Sequence, residues 1–306
     1  MECVKGPLVA VLLIQLTLGA AFALWAALGE LPFSDGGDGG NVAGEAAANG
    51  AARPDGFNEA RAFRFLERQV RLGPRPAGSR ASRRLAAELR RLVPGGRYQR
   101  VPGGLRNVVG RVAGRDRGRF IVVGAHYDTK DIPGFVGAND AAGGTAAVLE
   151  LARSLEPRTI GPTVVFVFFD GEESPGNAPD SDFERLGLRG SKVAARAYRR
   201  AEAMILLDFV ADRDLRIPRE ANSDPALWAK LRSAARRAGV IRHFPDATAP
   251  AIADDHIPFL RRGVPSIDLI DFDFPCFHRT CDDLSAVSER SLDVTGETVR
   301  ELLASL

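Results

Sequence analysis

The pattern of apolar and polar positions changes period several times along the chain, and each change marks a different kind of segment. Residues 6–29 are almost wholly apolar, interrupted only by Gln15 and Thr17, with Lys5 before them and Glu30 behind. About 20 apolar residues are enough to cross a bilayer, and a signal-peptide core is usually shorter. The stretch therefore reads as an uncleaved membrane anchor, with a cleaved signal peptide as its rival because small residues such as Ala21 and Ala23 suit a protease. Residues 34–52 have almost no large apolar side chains, cannot offset the entropy of ordering, and read as a flexible tether. The spans predict three parts: an anchor or signal peptide at 1–29, a linker at 30–56 and a folded catalytic domain at 57–306.

From Phe57 the pattern becomes globular. Phe63, Leu66 and Val70 fall at helical spacing before Gly73-Pro74. Ser79 offers an N-cap to a second helix, whose apolar stripe is Leu85, Leu89 and Leu92. Strands then read at residues 107–112, 120–125, 164–169, 203–207 and 264–270, with helices at 143–155, 190–200, 224–238 and 289–306. The run Val-Val-Phe-Val-Phe-Phe at 164–169 has no polar face, as expected of a strand covered on both sides. This alternation predicts a single three-layer α/β domain with a largely parallel central sheet between helices.

Composition narrows the function. Among 306 residues, 41 lysines and arginines nearly balance 39 aspartates and glutamates, so no bulk field points to nucleic acid or to an acidic partner. The three cysteines, Cys3, Cys276 and Cys281, are too few for a disulfide scaffold and are not spaced as a structural zinc site. Cys276 and Cys281 bracket His278; a small clip and two buried thiols are equally open readings.

Chemistry gathers where strands end. His126 and Asp128 follow one strand, Glu172 and Glu173 another, and Asp208 a third. Asp140, Asp254, Asp255 and His278 lie in turns. Ligands in open α/β sheets bind beyond the carboxyl ends of the strands, which gives these segments a common meeting place. Adjacent buried carboxylates repel unless a cation or a shared proton relieves them. Mixed imidazole and carboxylate donors suit zinc, and an open position makes such a site catalytic. Taken singly, each residue has a plain structural reading: Asp140 as a turn residue, His278 as a loop histidine, Asp208 as a strand-end carboxylate. Asp282 and Asp283 read as residues on the approach to the last helix. The ordered series carries the inference.

That series, His126-Tyr-Asp128, Gly137-Ala-Asn-Asp140, Phe169-Asp-Gly-Glu172-Glu173, Leu207-Asp208 and Phe277-His278, resembles the metal-site blocks of the zinc exopeptidases. This is the peptidase M28-type family, which holds bacterial aminopeptidases and glutaminyl cyclases. The resemblance implies that Asp140 bridges two zinc ions, that His126 and Asp208 complete the first, and that Glu173 and His278 complete the second. It also implies Glu172 as general base and Asp128 as a support for His126. The block Asp254-Asp255-His256-Ile-Pro-Phe-Leu-Arg-Arg-Gly-Val-Pro resembles glutaminyl cyclases in particular. In those enzymes one zinc is held at the Asp140, Glu173 and His278 positions, Glu172 shuttles a proton, and Asp208 and Asp254 join an acidic network.

One departure matters. Cyclases line the substrate pocket with tryptophans, one of them just before the last ligand, whereas this chain has Phe277 there and only Trp25 and Trp228. The leading expectation is a zinc hydrolase acting on peptide N-termini, with glutaminyl-peptide cyclisation as the alternative. A binding ectodomain that has lost its ligands is a third class, disfavoured because every ligand position is filled. The leader implies an extracytoplasmic domain, membrane-anchored or secreted.

Overall fold

The computed structural model describes residues 56–176 and 178–306; the anchor or signal peptide and nearly all of the linker lie outside the described residues. Asn58 accepts the Arg61 amide to begin helix α1 (Glu59–Val70), and Ser79 accepts that of Ser82 to begin α2 (Arg80–Leu92). Strands β1 (Arg97–Val101), β2 (Leu105–Val112) and β3 (Asp116–His126) follow. An irregular helical turn at Ala138–Gly143 leads into α3 (Gly144–Ser154) and then β4 (Pro162–Phe169). Next come the single turn α4 (Phe183–Leu186), α5 (Arg189–Ala197) and β5 (Met204–Asp208). The remainder is β6 (Arg219–Glu220), α6 (Pro225–Arg237), β7 (Thr248–Ala249), α7 (Ile257–Leu260), β8 (Ser266–Ile270) and α8 (Glu289–Ala304).

Six strands form one mixed sheet in the order β1-β2-β4-β3-β5-β8, and β6 pairs with β7 separately. Strands β4, β3, β5 and β8 run parallel, while β1 and β2 form an antiparallel hairpin whose second strand joins β4 antiparallel. The sheet is therefore mixed where a largely parallel one was expected. The difference comes from the β1-β2 hairpin. Strand β1, whose Arg97-Tyr98-Gln99-Arg100 is polar and partly exposed as an edge strand tolerates, carries no apolar pattern to read. Strand β2 follows it by a tight turn and runs antiparallel to both β1 and β4.

Side chains of β4 alternate between the two faces. Val164, Phe166 and Phe168 enter the larger core with residues of α1, α2, α3, α6 and α8. Val165, Val167 and Phe169 enter a smaller core with Ala194 and Ala195 of α5 and Phe259 of α7. Each buried phenylalanine contributes about 1.5–3 kcal/mol. Trp228 belongs to the larger core, 6.5 Å from Phe244 between ring centroids. Among the described residues no helix is long and apolar enough to cross a membrane.

The parallel strands all point their carboxyl ends to one edge, and α3 starts there. Gly144 makes this possible: a Cβ at that position would lie 2.1 Å from the Leu207 carbonyl oxygen, so only glycine lets α3 begin against β5. Gly144→Ala is expected to lower stability by about 1–3 kcal/mol, the usual cost of overpacking. Differential scanning calorimetry reads this as a fall of several degrees in Tm; an unchanged Tm would contradict the close approach.

Candidate metal centre

Backbone amides aim the acidic side chains of this edge. His126 is the last residue of β3, and its carbonyl accepts the Thr145 hydroxyl at 2.6 Å. Beyond β4 the chain turns at Gly171, with φ +75°, a conformation glycine adopts freely. Asp128 holds the turned segment, accepting the amides of Gly171 (2.9 Å), Glu172 (3.2 Å) and Glu173 (3.2 Å). Arg189 donates to the Gly171 and Glu173 carbonyls from the other side. Asp208 ends β5.

The Asp140 turn is held from three directions. Asp282 accepts the amides of Asn139 (2.7 Å) and Asp140 (3.1 Å). Asn139 accepts the Ala211 amide at 2.8 Å, and the buried Arg75 donates to the carbonyls of Val136 and Gly137. His278 lies in a loop closed by a Cys276–Cys281 disulfide and has φ +51°. A non-glycine residue in that region costs roughly 1–2 kcal/mol, so its surroundings must hold it there.

Two trios of ligand atoms result, and Asp140 belongs to both. His126 Nε2 is 3.2 Å from Asp140 Oδ1 and 3.2 Å from Asp208 Oδ1. His278 Nε2 is 3.2 Å from Glu173 Oε1 and 3.5 Å from Asp140 Oδ2. Within each trio the ligand atoms lie within 4.8 Å of one another, close enough for bonds of about 2.0–2.2 Å to one ion. Asp140 Oδ2 is buried without a hydrogen-bond partner, so an acceptor is left for a cation. Three nitrogen and oxygen donors per trio fit zinc with a position left open for substrate.

The local charge balance also asks for a cation. Burial, then the Glu173 charge, raises the Glu172 carboxyl well above the ordinary range. Burial, then Asp208 and Asp255, does the same to Asp254. Burial pushes Asp128, Asp255 and Asp282 up to about 7. For His126 burial acts downward, but the charges of Glu172 and Asp208 overcome it and lift the imidazole well above its ordinary value. The resident positive charges are few: Lys130 Nζ sits 3.2 Å from Glu173 Oε2, and burial lowers Arg75 to about 10. Glu172 joins neither trio; its Oε2 is 3.7 Å from His126 Nδ1.

Both trios open into a cavity of about 340 Å³ with an apolar wall that includes Phe209, Ile252, Ile270, Phe272 and Phe277. Phe277 stacks on His278 with 3.9 Å between ring centroids. Asp254 lines the floor. Asp255 is fully buried outside the cavity lining, and His256 is buried between Glu220 (3.3 Å) and Asp268 (3.6 Å).

Four residues make contacts that the sequence reading did not give. Lys130 was legible in principle, because period-two alternation puts it on the face of His126 and Asp128. Asp282, read as a helix approach, is a buried acceptor for the Asp140 turn. Asp128, expected to support His126, is 4.0 Å from Nδ1, beyond hydrogen-bond reach, and spends its acceptors on backbone amides. Arg75 gave no sequence signal at all.

Stability should report the charge crowding. With Asp128 and Asp255 at about 7 folded and about 3.9 unfolded, the folded chain binds more protons between these limits. Metal-free protein therefore loses stability as pH rises through that window. The Tm of chelator-treated protein is expected to fall from about pH 5 to about pH 7 and saturating zinc to flatten the slope. A metal-free Tm that climbs across the window would contradict the acidic cluster.

Comparison with known proteins gives the family. The profile of peptidase family M28 matches residues 107–303. A glutaminyl-peptide cyclotransferase of Drosophila melanogaster is 30% identical over 206 residues, covering 55% of this chain and 56% of that protein. One from Bos taurus is 29% identical over 215 residues, covering 58% of each. The chain thus spans little more than half the length of these curated relatives. Among solved structures, an Acidobacteriales bacterium glutaminyl cyclase has a TM-score of 0.70 at 29% identity, covering 85% of this chain and 98% of its own. A leucine aminopeptidase precursor from Bacteroides thetaiotaomicron has a TM-score of 0.74 at 26% identity, covering 84% and 99%. A Zn-dependent exopeptidase from Parabacteroides distasonis has 0.71 at 27%, covering 83% and 99%. Because the profile runs from β2 into the last helix and takes in every residue of the two trios, the chain belongs to peptidase family M28.

Proposed function

We propose that this protein is a zinc-dependent exopeptidase that hydrolyses peptides at the N-terminus. The observation that carries this reading is the sharing of Asp140: its two oxygens turn to different trios, as a ligand bridging two ions requires. When bound, zinc polarises the substrate carbonyl and lowers the pKa of water towards about 7. Glu172, its backbone held by Asp128, takes the proton of the attacking water and passes it to the departing amine. Burial, then the Glu173 charge, raises its pKa, which strengthens it as an acceptor of that proton. Asp254 lines the cavity and offers an acceptor oxygen to the substrate's terminal ammonium. A cavity of about 340 Å³ is at the small end for ligand sites and suits one terminal residue.

Glutaminyl-peptide cyclisation is the second reading, and the Lys130–Glu173 ion pair favours it. Lys130 supplies positive charge beside the Asp140, Glu173 and His278 trio, which lets that position work with a single ion. Glu172 would then take the proton from the substrate's own α-amine as it attacks the γ-amide, and give it to the departing ammonia. The names of the curated relatives support this reading as well. A binding ectodomain without activity remains disfavoured, since base and ligands are all in place.

The Cys276–Cys281 disulfide supports a location outside the cytoplasm, where such bonds persist. We place the catalytic domain there, tethered through residues 1–29 or released as a secreted form.

Glu172→Gln is expected to lower kcat by about 100-fold or more while zinc stays bound. Loss of zinc in that variant would make Glu172 a ligand. Asp140→Ala is expected to remove metal and activity together, because both trios use it; wild-type zinc content would refute the shared position. Zinc per chain, measured alongside an aminoacyl reporter and an N-terminal glutaminyl peptide, separates the readings. Two ions with amine release from the reporter support the peptidase; one ion with ammonia release from the glutaminyl peptide supports the cyclase.

A further inference from the structure

His278 is built into the fold unlike the other ligands. His126 and Asp208 are the last residues of β3 and β5, and Glu173 follows β4 closely, so the sheet fixes all three. His278 lies in an irregular loop well beyond β8, in a left-handed conformation that is uncommon for a non-glycine residue. The loop has its own restraints. The Cys276–Cys281 bond closes around it with 5.4 Å between the Cα atoms. Inside the closure the Arg279 amide donates to the Cys276 carbonyl at 3.0 Å, and the Asp282 amide to the Arg279 carbonyl at 3.0 Å. Phe277 stacks on the imidazole, and Phe135 meets it edge-on with 6.1 Å between ring centroids.

The residue after the clip ties this loop to the other ligand of the same trio. Asp282 is fully buried, and its two oxygens accept the amides of Asn139 and Asp140. Its carbonyl accepts the Ala138 amide at 3.2 Å. A short covalent path therefore runs from His278 through Cys281 to Asp282 and on, by hydrogen bonds, to Asp140.

We infer that the Cys276–Cys281 disulfide and Asp282 act as one brace that positions His278 against Asp140, so that the Asp140, Glu173 and His278 position holds its ion firmly only while the clip is closed. The inference rests on the metal reading above. Its consequences are graded. Opening the clip frees His278 and reaches the His126, Asp140 and Asp208 trio only through Asp282, whose hydrogen bonds to the Asp140 turn stay in place. Removing the Asp282 carboxylate loosens Asp140 and so weakens both trios. Cys281 is exposed and Cys276 half-buried, so a reductant in solution can reach the bond. A phosphine would supply two electrons and become its oxide, with two protons from water completing the thiols.

The test uses the full chain, stripped of metal and titrated with zinc by calorimetry and with cobalt by visible absorption. Cys276→Ser/Cys281→Ser opens the clip without leaving thiols that would themselves bind zinc. The expected result is affinity weakened about 10–100-fold at one ion, the range found when supporting groups around a metal are removed. The matching component of the cobalt spectrum is lost, any second ion is unaffected, and the circular dichroism spectrum is unchanged. Wild type treated with the phosphine should behave alike, and Asp282→Ala should weaken every ion present. Zinc number and affinity equal to wild type in the serine variant would overturn the brace, as would loss of all ions together with the fold. A wild-type chain that takes up no zinc would overturn the metal reading itself, a failure visible before any variant is made.

Discussion

The structure depends on a concentration of buried carboxylates at one edge of a sheet. Asp128, Asp140, Glu172, Glu173, Asp208 and Asp254 are each less than a tenth exposed, and the carboxyl ends of β3, β4 and β5 hold three of the segments that bear them. Isolated charges in such surroundings would shift their pKa values and neutralise. The fold instead gathers them around two points where imidazole and carboxylate donors converge, which is an arrangement a divalent cation stabilises and water alone does not. The apolar wall of the cavity sharpens the effect, because it lowers the effective dielectric in which those charges interact.

Backbone amides do most of the aiming. Asp128 and Asp282 ligate nothing, yet between them they accept five main-chain N–H groups from the two segments that carry Asp140, Glu172 and Glu173. A hydrogen bond to a charged group contributes about 1.5–3 kcal/mol, more than a neutral one. Several such bonds are enough to hold turns that would otherwise sample many conformations. The ligand geometry is thus set by acids whose oxygens accept backbone amides, while the trio residues offer theirs to a metal.

Legibility followed the physics of each element. The parallel strands were readable because burial on both faces leaves an unbroken apolar run, as in β4. The edge strand β1 was not, since its residues alternate between solvent and a partial cover and resemble any polar loop. The trio residues could be read as an ordered series because metal donors are restricted to a few residue types at strand ends. Residues that act through the backbone had no such restriction. Asp282 looks in sequence like any acid before a helix, and Arg75 like one arginine among many; only the fold reveals that each reaches a turn far away in the chain. Disulfide pairing of Cys276 with Cys281 was equally undetermined, because a spacing of 5 residues permits a bridge without requiring one.

Hydrolysis and cyclisation place the same demands on most of this site, which is why one family serves both. Each needs a polarised carbonyl, a base that accepts a proton and returns it, and a pocket for the chain terminus. They differ in the nucleophile, and the charges set beside the ligands bear on that difference: Lys130 next to Glu173, and His126. As a neutral imidazole it ligates through Nε2 between Asp140 and Asp208, and the first trio is complete. As an imidazolium it satisfies the same two oxygens with its own charge, each 3.2 Å away, and the second trio works alone. In the first case the carboxylates would hold an ion, which would supply polarisation of the carbonyl and an activated water. In the second they face a fixed cation of the protein, and the substrate's amine is the only nucleophile at hand. What compensates the charges of Asp140, Glu173 and Asp208 would therefore bear on the choice between the two chemistries, and the role proposed for Glu172 is the same in either.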